Sequence, residues 1–75
     1  MEKKILEILE DVNEEILSYD GNNMMVDGIV SSFEIIEIIS TIEEEFGIEI
    51  DAKYVVAENF GNKESIIELV KLLLT

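Results

Sequence analysis

"SSFEIIEIISTIEEEFGIEI", residues 31–50, is the stretch on which the fold turns. By residue type its isoleucines favour a strand, because β-branched side chains suit a pleated surface. By spacing they favour a helix. Glu34, Glu37, Ser40, Thr41 and Glu44 recur at three- and four-residue intervals. Ile35, Ile39, Ile42 and Phe46 make the matching apolar stripe, and Ile36 and Ile38 widen it. This period predicts a helix of about four turns. Ser31 and Glu34 form the S-x-x-E pattern of a capping box, so Ser31 is the expected helix cap. Gly47, able to take the left-handed conformation and followed by apolar Ile48, marks the end. Ser32 has no capping duty. It falls in the first turn with its side chain free, where an attached phosphate would meet the positive end of the helix dipole.

On the N-terminal side, Ile5, Ile8, Leu9, Val12 and Ile16 form one helical stripe, with Glu7, Glu10, Asp11, Glu14 and Glu15 between them. The pattern stops at "SYDGNN", residues 18–23, a cluster of turn formers. Tyr19 to Val30 shows no period and contains Gly21 and Gly28. It reads as a long ordered loop pinned by Met24, Met25, Val26, Ile29 and Val30, and loops of this length are often functional. On the C-terminal side, Asp51 caps one or two turns in "DAKYVVAE", and "NFGN" breaks them. "NKESIIELVKLLL" is a last helix capped by Asn62, with Ile66, Ile67, Val70, Leu73 and Leu74 on its apolar face. The expectation is one all-α domain over residues 1–75. It is a small four-helix bundle of three main helices and a short third one, with a long loop between the first and second.

Seventy-five residues bury only about 60% of their unfolded surface. No cysteine is present to staple the fold or hold a metal by thiolate, so stability rests on the 48% of residues that are apolar. Histidine is also absent, which removes the commonest transition-metal ligand and general base. "DGNNMMVDG", from Asp20, opens like a calcium loop. The pattern needs an oxygen ligand, a glycine and a glutamate where this chain has Met24, Met25 and Ser31, and it fails. No metal site is expected. Without histidine, cysteine or arginine, the many carboxylates cannot complete a nucleophile–base–oxyanion set, so the chain reads as a non-enzyme.

Eighteen acids face five lysines, for a formal net charge of -13. Nucleic acid and anionic membrane surfaces need a basic face and are unexpected partners. A basic protein partner fits the field, and the alternative is that the acids simply keep the domain soluble. "MEKKILEILED" lacks the apolar core of a signal peptide, and no run approaches the roughly 20 apolar residues of a membrane span. A soluble monomer in the cytoplasm is the simplest expectation.

The whole of residues 31–50 resembles the central helix of an acyl carrier protein. That family is similar to this chain in length, acidity and layout. It opens its second helix with Asp-Ser-Leu, whose serine carries a 4′-phosphopantetheine arm, and a stretch close to "ALEEEFGIEI" follows at a fixed distance. Sliding "TIEEEFGIEI" (41–50) onto that stretch puts Ser32 on the modified serine, Ser31 on the aspartate and Phe33 on the leucine. Glu37 falls on an acid of the family motif. "VDGIVSS" resembles the approach to the motif, and "IDAKYVVAENF" with "NKESIIELV" resembles the short third helix and the fourth. Ser-Ser-Phe departs from Asp-Ser-Leu at both flanks, and a phenylalanine after the serine is similar to carriers of dedicated acyl, aminoacyl or polyketide pathways.

The resemblance implies a bundle of acyl-carrier type. It implies Ser32 as the attachment point of 4′-phosphopantetheine, delivered from coenzyme A by a phosphopantetheinyl transferase. Acyl- or aminoacyl-loading and processing enzymes with basic patches would then be partners, docking on Phe33, Glu34, Glu37, Glu43, Glu44 and Glu45. The interior, with Ile36, Ile39, Ile42, Phe46, Val55 and Ile66, is one of two places open for the cargo, there as a sequestered acyl chain. Its alternative is an ordinary packed core that leaves a short cargo in solvent. Within the carrier reading, the alternative to a dedicated pathway is the general carrier of fatty acid synthesis; outside it stands an unmodified acidic module binding a basic partner.

Overall fold

The computed structural model describes residues 1–75 throughout, and they form helices and turns with no strand. Helix α1 spans Glu2–Val12 and buries Ile5, Ile8 and Leu9, one face of its heptad-like spacing. Asn13 ends it in extended conformation, and the stripe resumes in a single turn, α2, Glu15–Ser18, which buries Ile16. The continuous first helix read from the sequence is therefore broken. Asn13 supplies its side-chain oxygen to the Glu15 N–H at 3.0 Å, capping the new turn locally, as asparagine does in competition with the helix.

Helix α3 spans Ser32–Phe46. The capping box is complete: the Ser31 hydroxyl accepts from the Glu34 N–H at 3.2 Å, and Glu34 accepts from the Ser31 N–H at 3.0 Å. Gly47 ends the helix at φ 63, ψ 38, which a side chain would strain. Asp51 then caps a 3-10 turn, Ala52–Tyr54, by accepting from the Lys53 N–H. A further single turn, α4, covers Ala57–Phe60, and α5 covers Lys63–Leu74 behind the Asn62 cap. Residues 59–60, expected to break the short helix, lie inside α4. The break falls instead at Val55–Val56. The chain thus has five α-helical segments, three of them long, where the sequence suggests four.

Ile5, Leu9, Ile16, Met24, Ile38, Ile42, Ile66 and Val70 are the largest fully buried side chains. Each contributes about 1.5–3 kcal/mol by leaving water. Helix α1 packs against both α3 and α5, and α4 packs against α5. The radius of gyration is 11.0 Å, close to the roughly 11 Å expected of a compact domain of this length.

The predicted stripes need correction at their edges. Ile36, expected in the core, is 60% exposed. At about 100° per residue it lies nearly opposite Ile38 and Ile42 and shares the outer face with Phe33, Glu37 and Ser40. Val55 is exposed at the end of the 3-10 turn, and Leu74 at the frayed end of α5. Leu69, not placed on the α5 face from sequence, is buried. Of the loop anchors, Met24 and Val30 are buried and Ile29 is partly buried, whereas Met25 and Val26 face solvent.

The loop is ordered by specific bonds. Met24 N–H donates to Gly61 O at 3.0 Å, and Asn62 Nδ2 to Gly21 O at 2.9 Å, tying its first half to the α4–α5 corner. A Cβ on Gly61 would collide with the Asn22 carbonyl oxygen, so only glycine permits this approach. Tyr19 donates to Asp27 Oδ2 at 2.5 Å and accepts from the Asn23 N–H at 2.9 Å, with its ring over Gly21.

Candidate functional site

The head of α3 separates two adjacent hydroxyls by their duties. Ser31 lies outside the helix in extended conformation, and its oxygen is occupied by the cap. Ser32 is the first helical residue, exposed, and takes no part in the capping bonds. First-turn N–H groups lack carbonyl partners within the helix, so the site favours a negative charge on the Ser32 oxygen.

An apolar groove of about 170 Å³ reaches α3 at Ile35. Its walls come from the loop (Asn23, Met25, Val26), α3 (Ile35) and the stretch before and within α4 (Val55, Val56, Ala57, Phe60). Ile35 and Phe60 are buried, and the other apolar walls are exposed. Ile35 follows Ser32 by three residues, on the neighbouring turn and about 4.5 Å along the axis. The groove is comparable to an apolar cavity of about 150 Å³ that accepts a benzene-sized guest. The sequence leaves two places open for a cargo, the bundle interior or solvent around a packed core. That interior is filled by buried isoleucines, and the open space is peripheral. Met25 and Val26, apolar and outside any period, were the signal available for it.

The six proposed docking residues are not equivalent. Phe33 is 69% exposed, and Glu37 and Glu44 lie on the same outer face without an ion pair. Glu34 is turned inward, its Oε1 in the capping box and its Oε2 3.4 Å from Asn13 Nδ2. Glu43 accepts from the Ile50 N–H at 2.8 Å, fixing the chain after Gly47. Glu45 lies 3.8 Å from the Lys4 ammonium of α1. The outward surface of α3 is therefore Phe33, Ile36, Glu37, Ser40 and Glu44, apolar at its head and acidic further along. Asn13 was missed as part of the site, because an isolated asparagine in a helical pattern carries no long-range signal.

No group of histidine, cysteine, aspartate or glutamate side chains is arranged to hold a metal ion. No helix is long and apolar enough to cross a membrane. In comparisons with protein-family models, curated proteins and solved structures, no significant match to the chain was found.

Proposed function

We propose that this chain is a carrier domain that holds an acyl or aminoacyl group as a thioester on a 4′-phosphopantetheine arm attached to Ser32. The observation that supports this most is the pairing of an exposed first-turn serine, relieved of capping by its neighbour, with an apolar groove one turn away. The resemblance of residues 31–50 to the carrier family points to the same serine.

In this reading the chain tethers and does not catalyse. A phosphopantetheinyl transferase binds coenzyme A and docks on the head of α3. The Ser32 oxygen forms a bond to the phosphorus bearing the pantetheine, the pyrophosphate linkage breaks, and adenosine 3′,5′-bisphosphate leaves. The serine proton passes to a base on the transferase. The arm's terminal thiol then carries the cargo, and tethering replaces diffusion by a high effective concentration near successive enzymes. Phe33 and Ile36 supply apolar contact to those enzymes, while Glu37 and Glu44 steer basic patches. The groove suits a short acyl chain or a small side chain, not a long fatty chain. The reading goes with a cytoplasmic, monomeric protein.

A second reading keeps the same outer face and discards the arm: an acidic module that binds a basic partner through Phe33, Ile36, Glu37 and Glu44. Incubation of the wild-type chain with coenzyme A and a broad-specificity transferase separates them. The carrier reading expects the intact mass to rise by one arm. An unchanged mass under conditions that modify a control carrier favours the module.

A further inference from the structure

We infer that Asn13 is a positioning residue for Ser32, holding the head of α3 through hydrogen bonds that start at the break between α1 and α2. Its chemistry rests on the carrier reading of Ser32. Its geometry does not.

Every polar group of Asn13 is engaged. Its N–H donates to Leu9 O at 2.9 Å, closing α1, and its carbonyl accepts from the Ile16 N–H at 3.1 Å, opening α2. Its Oδ1 accepts from the Glu15 N–H at 3.0 Å. That fixes the amide plane and aims Nδ2 across to the head of α3. There Nδ2 donates to Ile29 O at 2.8 Å, two residues before the Ser31 cap. It also lies 3.4 Å from Glu34 Oε2, on the residue whose other oxygen closes the capping box. The shorter bond is the stronger of the two. The Ile29 carbonyl and the Glu34 carboxylate flank Ser32 in sequence, one on the incoming chain and one in the first turn.

The consequence is mechanical. The loop from Tyr19 to Val30 must deliver Ser31 in extended conformation for the cap to form, and Val30 N–H and Ile29 N–H are bonded only back to Met24 O, within the loop itself. Asn13 is the link from this junction to α1. It sits in the break of the first helical stripe, where the bond from the Glu15 N–H to its Oδ1 sets the direction of the amide. A transferase that must bring a phosphorus atom to the Ser32 oxygen depends on that placement, because small misplacements of a reacting group lower rates steeply.

Asn13→Asp is the informative substitution. It keeps the acceptor for the Glu15 N–H and replaces the donor by an oxygen facing the Ile29 carbonyl and the Glu34 carboxylate. A role confined to capping α2 would be preserved, whereas a positioning role would be reversed. Ile67→Val, in the core face of α5, is the control for general destabilisation. Two readouts are needed. The first is phosphopantetheinyl transfer from coenzyme A, followed by intact mass, with kcat and KM separated and rates expressed per folded molecule. The second is backbone amide exchange at Ser31 and Glu34.

The expected result for Asn13→Asp is a fall of about tenfold in kcat/KM and exchange at both amides about tenfold faster than in wild type, with Ile67→Val within about twofold on both. Wild-type transfer and wild-type exchange in Asn13→Asp would overturn the inference, as would equal losses in Ile67→Val. If the wild-type chain accepts no arm at all, the carrier reading fails. The exchange measurement then decides alone whether Asn13 holds the head of α3, and unchanged exchange refutes it.

Discussion

Replacing Ser31 by alanine removes the oxygen that accepts from the Glu34 N–H and leaves Glu34 reaching for a cap that no longer reciprocates. A loss of about 0.5–2 kcal/mol in urea unfolding is expected. Ser32→Ala, one position on, should stay within about 0.5 kcal/mol of wild type, because the residue is exposed and alanine suits a first turn. Ser31→Asp should keep the cap; if the proposed carrier function holds, it also matches the first residue of the carrier triplet, and its modification should be at least as fast as that of wild type. Tyr19 offers a different residue-scale test. Its phenol is pushed above the usual 10.0, first by partial burial and then by the hydrogen bond to Asp27, against the lowering effect of the Asn23 N–H. The fold thus favours the neutral phenol. That contribution is complete below pH 10 and is lost as pH rises through the raised folded value. In a Tyr54→Phe background, the phenolate absorbance of Tyr19 should appear above pH 10.0, and Asp27→Asn should bring it back down. A midpoint that does not move in Asp27→Asn would contradict the role given to that bond.

At the scale of elements, the long helix α3 was legible because three local signals agree: the period, the S-x-x-E box and Gly47. Asn62 and Asp51 were legible as caps for the same reason. The break at Asn13 was not, since Ile16 continues the stripe of α1 across it and the asparagine's partners lie 16 and 21 residues away. Ile36 was misplaced because its residue type reads as core, although its angular neighbours Phe33, Ser40 and Glu37 set it on the outer face. The groove could not be read either, because its walls come from three separated segments that meet only once the loop has docked. That docking depends on Gly61. Gly61→Ala sets a methyl group against the carbonyl oxygens of Asn22 and Ala57, and a loss of about 1–3 kcal/mol is expected from the forced shift. Thermal melting checks the loss, and a change in groove chemical shifts around Met25 and Val26 would show that the loop has moved. Unchanged melting would mean that the corner yields freely.

For the whole molecule, charge dominates. Lys4, Lys63 and Lys71 pair with Glu2, Glu7, Glu45, Glu64 and Glu68 at 3.2–3.9 Å, on exposed or half-exposed ground where such pairs contribute little. The other acids have no ion pair, and a net charge of -13 on a body 30 × 25 × 19 Å repels itself. The melting temperature should therefore rise between low and moderate salt as screening shortens the range of repulsion. A flat or falling trend would contradict this. On the carrier reading, Glu37 and Glu44, further along the outer face of α3 than Phe33, meet the basic patches of partner enzymes that handle the cargo on Ser32. The most direct test is the intact mass of wild type, Ser31→Ala and Ser32→Ala after incubation with coenzyme A and a broad-specificity phosphopantetheinyl transferase. The expected result is one arm on wild type and on Ser31→Ala, and none on Ser32→Ala. An arm on Ser32→Ala, or no arm on wild type when a control carrier is modified in the same tube, would contradict it.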